Sequence, residues 1–128
     1  MNLTWFLFSF KGRTERLPWW IYSLVSGLIG AFLNAGSRGS PDDDLPLAVV
    51  LVAGAIAVVA TWSWLAVTVK RLHDIDKSGW WALLLVVPIV GAIALFVMNG
   101  FIAGTPHANR FGELPSVDEA TPAPQDPA

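Results

Sequence analysis

The sequence predicts an all-α integral membrane protein, with three transmembrane helices preceded by a short interfacial N-terminal segment. Three observations predict it. The 128 residues are 54% hydrophobic and 14% charged, where globular chains carry about 25% charged residues. The charges gather in four patches with apolar runs between them, and runs of roughly 18 or more apolar residues read as membrane spans. The basic residues alternate from patch to patch, as an odd number of crossings requires.

The chain has room for one domain at most. Zero cysteines exclude disulfides, thiolate catalysis and Cys-ligated zinc. The net charge of −2 carries no basic surface suited to nucleic acid. The N-terminus does not read as a secretory signal, because Lys11, Arg13 and Arg16 follow the apolar stretch Trp5–Phe10 instead of preceding it.

Residues 1–16 form the expected interfacial segment. Leu3–Phe10 is too short to cross, and its aromatics followed by basic residues suit the bilayer surface. The membrane domain is expected over 17–112, with spans at about 18–34, 45–69 and 80–102. Pro18 opens the first span, where its missing N–H costs nothing. Ser23, Gly27, Ala31 and Ala35 recur every fourth residue along it, a small-residue face expected to pack within the molecule. The loop Asn34–Asp44 is turn-rich, and its three aspartates precede the second span as solvated charge favoured by the helix dipole, without further carboxylates at metal-ligand spacing. The second span ends abruptly at Lys70. The third contains Pro88 and Gly91, so a bend is expected near Pro88; the alternative is that this run re-enters at Pro88 instead of spanning, which would bring Asn109-Arg110 beside the hinge. Residues 113–128 read as a disordered acidic, Pro-rich tail with too little apolar content to offset ordering entropy.

Loop charges give the orientation. Lys11, Arg13 and Arg16 lie in one patch and Lys70, Arg71 and Lys77 in another, whereas the 34–44 loop has Arg38 and the C-terminal segment has Arg110. Basic residues are retained in the cytoplasm, so the N-terminus is expected inside and the C-terminus outside a bacterial plasma membrane. All seven tryptophans lie near the two basic patches, which builds a one-sided aromatic belt at headgroup level.

The polar hinge KRLHDIDKSGWW, Lys70–Trp81, holds the candidate chemistry. If the second helix continues into it, Asp74 can bridge to Arg71 at i,i+3 or to Lys70 at i,i+4. Ser78 can cap the third helix, Gly79 permits the reversal, and Trp80 anchors its start. Adjacent His73 and Asp74 do not face each other on a helix, and no nucleophile is recognisable. His73 and His107 are expected on opposite sides, so no metal pair forms, and no cofactor is called for. No Asp, Glu, Lys, Arg or His lies within the three spans, which disfavours a pump or coupled transporter.

The order Gly12-Arg13-x-x-Arg16, then Arg71-Leu72-His73-Asp74-x-x-Lys77-Ser78-Gly79-Trp80, then Pro88-x-x-Gly91, then Asn109-Arg110-Phe111-Gly112-x-x-Pro115 resembles domain-of-unknown-function family 805, the YhaH-like small bacterial inner-membrane proteins. The resemblance covers roughly residues 5–115 and implies location and architecture without a mechanism. Lys70 stands where that family tends to have arginine, Asp76 where it has glycine, and Phe111 where it has tyrosine. The expected function is a non-enzymatic module that binds anionic lipid headgroups or a membrane-protein partner through Arg13, Arg16, Lys70, Arg71, His73, Asp74, Lys77, Ser78, Gly79, Trp80, Asn109 and Arg110. An oligomeric pore or small transporter subunit is the alternative, drawn from the small-residue face and the Pro88–Gly91 break.

Overall fold

The structure, a computed structural model, describes residues 2–38 and 45–114. The Asp42–Asp44 triplet and the tail from residue 115 lie outside them. In order come α1 (Leu3–Phe8), α2 (Arg16–Ser37), α3 (Leu47–Asp74), a 3₁₀ helix (Gly79–Val86) and α4 (Val90–Gly100). Among the described residues every helix or turn belongs to an all-helical chain; a lone bridge joins Asn109 and Gly112.

Asn2 caps α1, its side-chain oxygen accepting from the N–H groups of Thr4 and Trp5. α2 carries Pro18 in its first turn. α3 runs past the expected end at Val69 and ends in a Schellman turn. The Lys77 N–H donates to the Leu72 carbonyl at 2.8 Å and the Asp76 N–H to the His73 carbonyl at 3.0 Å. Asp76 sits at the left-handed position of that turn with φ 58°, a conformation that glycine enters freely and aspartate tolerates. Ser78 caps the 3₁₀ helix, its hydroxyl accepting from the Trp80 N–H at 3.3 Å.

Two described helices are long and apolar enough to cross a membrane, Arg16–Gly36 and Leu47–Asp74. The expected third span over 80–102 is not one continuous helix. Pro88 offers no N–H to continue the 3₁₀ ladder, and Ile89 turns to φ 66°, ψ −67°. The Val90 N–H then donates to the Pro88 carbonyl at 2.7 Å, closing a γ-turn that folds the chain back on itself. The two arms pack closely at Gly91, where a Cβ would overlap the Leu84 carbonyl. The run is therefore a hairpin. Its end at Gly100 lies against the rings of Trp19 and Trp20, which begin α2. Residues 103–112 consequently pack beside the hinge, and the expectation that the C-terminal segment sits at the opposite end is corrected for the described residues.

The core lies entirely at this hinge end. Phe6, Trp19 and Val67 form one cluster with Trp5, Leu7, Trp20 and Tyr22 around it. Leu72, Ile75 and Leu95 form a second with Ala82, Leu84 and Met98. The far halves of α2 and α3, residues 27–36 and 47–62, are exposed throughout. Most of the small-residue face of α2 is no intramolecular seam: a Cβ at Gly27 would meet nothing within 4 Å, Ala31 and Ala35 are exposed, and Ser23 at the hinge end is half-buried.

Candidate functional site

Every candidate residue from the sequence converges on the hinge end, and the centre of the group is Asp74. Its Oδ1 accepts from Arg13 Nη2 at 2.9 Å and its Oδ2 from Arg71 Nη1 at 2.9 Å. Arg13 also donates to the carbonyls of His107 and Thr105, each at 2.8 Å, and of Gly112 at 3.3 Å. The Asp74 carbonyl accepts from the Thr105 N–H at 2.8 Å. One carboxylate and two guanidiniums thus fasten the end of α3 to the loop that follows the hairpin. Gly104 is required for this approach, since any Cβ there would overlap the Asp74 carboxylate.

The two basic residues that end the second apolar run cap other helices. Arg71 reaches the last turn of α4, donating from Nε to the Asn99 carbonyl at 2.8 Å and from Nη2 to the Ile102 carbonyl. Lys70 points the other way and donates to the carbonyls of Phe6 at 2.7 Å, Trp5 at 3.1 Å and Ser9 at 2.5 Å. A helix leaves its last carbonyls unpaired and carries partial negative charge there. Lys70 answers both demands for α1, and Arg71 does so for α4. Trp5 and Phe6 also present their rings to the Lys70 ammonium.

This changes which cations face outward. Arg13 is 3% exposed and Lys70 and Arg71 are 0% exposed. Lys11, Arg16, Lys77 and Arg110 remain exposed. Arg110 pairs with Asp76 at 3.3 Å, both side chains largely in solvent, and Lys77 lies over the Trp81 ring at 5.5 Å. Trp80 is exposed, whereas Trp19 is core.

His73 and Asp74 point to different partners. The His73 Nδ1 lies 3.0 Å from the Gly12 carbonyl; a carbonyl only accepts, so this nitrogen carries the proton. Its ring stacks on Phe111, centroids 4.0 Å apart and planes 4° from parallel. Gly12, at φ 95°, leaves no space for a Cβ beside the Trp5 ring. Asn109 closes the group by donating to the His73 carbonyl at 2.9 Å. His107 is at the same end as His73, contrary to expectation, although among the described residues no three or more His, Asp or Glu side chains gather as a metal set. The site is a set of fixed pairs, an arrangement that holds segments together.

Sequence reading does not reach Gly104, Thr105, Asn99 or Trp20, whose indole donates to the Gly100 carbonyl at 3.0 Å. Their partners are 28 to 92 residues away in some cases, as in Arg71 with Asn99 and Arg13 with Thr105, and no local spacing encodes that. The glycine in Gly104-Thr105 is the one signal available.

The family model DUF805, described as protein of unknown function, matches residues 7–113. Inner membrane protein YhaH of Escherichia coli strain K12 is 34% identical over 119 residues, covering 85% of this chain and 88% of that protein. Inner membrane protein YhaI of the same strain is 35% identical over 108 residues, covering 83% and 85% respectively. The uncharacterized protein YiiR, also from that strain, is 38% identical over 89 residues, which is 68% of this chain and 56% of YiiR. No solved structure matches.

Proposed function

The chain belongs to the DUF805 family of bacterial inner-membrane proteins, and from that premise we propose a non-enzymatic membrane module whose hinge-end rim binds lipid headgroups or a partner protein. The division of the cations carries this reading. Arg13, Lys70 and Arg71 are engaged inside, so outward binding falls to Lys11, Arg16, Lys77 and Arg110 beside the exposed Trp80. Basic residues just cytoplasmic of a span attract anionic lipids, each contributing on the order of 1 kcal/mol near the surface.

In this reading α2 and α3 cross the bilayer and the hairpin 79–100 re-enters it. Eight 3₁₀ residues at 2.0 Å and eleven α residues at 1.5 Å give two arms of about 16 Å. That is half of a hydrocarbon core of about 30 Å, so the Pro88–Ile89 tip reaches the midplane. Of the eight Lys and Arg residues, all but Arg38 belong to the hinge end, which favours that end as cytoplasmic. Residues 2–16 then lie at the cytoplasmic interface, and residues 101–114 share that side.

The test uses purified protein in nanodiscs that mix a zwitterionic and an anionic lipid. Lys11→Ala with Lys77→Ala should lower the enrichment of anionic lipid around the protein while leaving its melting temperature unchanged. Unchanged enrichment, with partner capture also unchanged, would remove the proposal. A second reading, an oligomeric pore or small transporter subunit, is favoured by the open face at Gly27. Crosslinking in membranes that yields monomers alone would end it.

A further inference from the structure

We propose that a cleft beside the hinge binds the headgroup of a zwitterionic, phosphoethanolamine-type phospholipid. The cleft has a volume of about 390 Å³ and is lined by Glu15, Arg16, Leu17, Asp74, the 103–106 loop and Leu114. This inference rests on the proposed reading only in setting the hinge end at the bilayer surface.

The wall chemistry selects the headgroup. One guanidinium and two carboxylates line the cleft. Among the described residues Glu15 and Arg16 have no ion-pair partner, Arg16 donating from Nη1 to the Phe101 carbonyl at 3.4 Å, whereas Asp74 is held by Arg13 and Arg71. Those two clasp guanidiniums do not line the cleft; they end on Asp74 and on backbone carbonyls. An anionic head such as phosphatidylglycerol would set its phosphate on Arg16 and offer Glu15 only neutral hydroxyls, without the charge that an ammonium brings. A head carrying both a phosphodiester and a primary ammonium matches both groups at once, with Arg16 forking onto the phosphate oxygens.

The rim of the cleft also says where the tail goes. Leu17 lines the cleft and is 66% exposed, and Ile21, Leu24 and Leu28 are exposed beyond it. Their spacing of four, three and four places them on one face of α2. An apolar track thus leaves the cleft and climbs into the membrane, which a free headgroup does not need and a phospholipid does.

The experiment loads the full-length protein into nanodiscs holding equal amounts of phosphatidylethanolamine and phosphatidylglycerol with identical acyl chains, then reads retained lipid by native mass spectrometry. The wild type is expected to keep one phosphatidylethanolamine, several-fold over phosphatidylglycerol. Glu15→Gln should abolish the preference, Arg16→Ala should lose both lipids, and Lys11→Ala with Lys77→Ala should leave the preference intact. That last variant separates failure of this site from failure of the rim reading. Equal retention or preference for phosphatidylglycerol in the wild type overturns the proposal, as does an unchanged preference in Glu15→Gln. Millimolar glycerophosphoethanolamine should not displace the lipid; displacement would overturn the phospholipid assignment.

Discussion

Asp74 holds two guanidiniums with one carboxylate at about one-twentieth exposure. Removing one partner of such a buried group costs roughly 3–5 kcal/mol, because the charge left behind has no water to turn to. Asp74→Asn keeps the shape and loses the charge, so it should lower the melting temperature strongly and open residues 103–114 to protease. Gly104→Ala should do the same by steric overlap, since the carboxylate cannot rotate away without leaving both arginines. A melting curve and a timed digestion check both. Half of this centre was legible in the sequence. The Arg71–Asp74 pair follows from i,i+3 spacing, and the Ser78 cap from residue type. The choice of Arg71 over Lys70 was not legible, because both spacings allow a bridge; α1 decides it by needing Lys70 at its own C-terminus. Arg13 was legible as a cation and not as a clasp, since 61 residues separate it from Asp74.

At the scale of elements, the third apolar run shows what composition hides. A helix that crosses and a hairpin that turns back have the same hydropathy, because both are covered by lipid or by apolar neighbours. Pro88 marks the break in either case. What decides is Ile89, which holds a positive φ that a β-branched residue rarely adopts. Such a residue stores about 1–3 kcal/mol of strain, and glycine would relieve it at a cost of roughly 0.5–1 kcal/mol in chain entropy. Ile89→Gly should therefore raise the melting temperature modestly. Gly91→Leu should lower it and loosen the two arms, measured as faster hydrogen exchange over 84–95, because its side chain would collide with the Leu84 carbonyl. The small-residue stripe of α2 misled in the opposite direction. Its spacing is real, but it is left exposed at Gly27, Ala31 and Ala35, and periodicity gives no information on what covers a face.

For the whole molecule, the hinge end is a packed unit and the far halves of α2 and α3 are bare. Topology reporters test this arrangement directly: fusions after Met1 and after Gly112 should report the same side, and opposite reports would restore a third crossing. The clasp has a further consequence for how the protein is made. Its members arrive in the order Arg13, Arg71, Asp74, Thr105 and Gly112, so the nascent chain cannot close it until the last loop has left the ribosome. Until then Arg13 and Arg71 lack their carbonyl partners in residues 99–112, whereas the α1 carbonyls that Lys70 binds are already made. The two guanidiniums complete their contacts as the hairpin docks. In the orientation proposed above they first hold their segments on the cytoplasmic side and later lock the fold, buried from solvent.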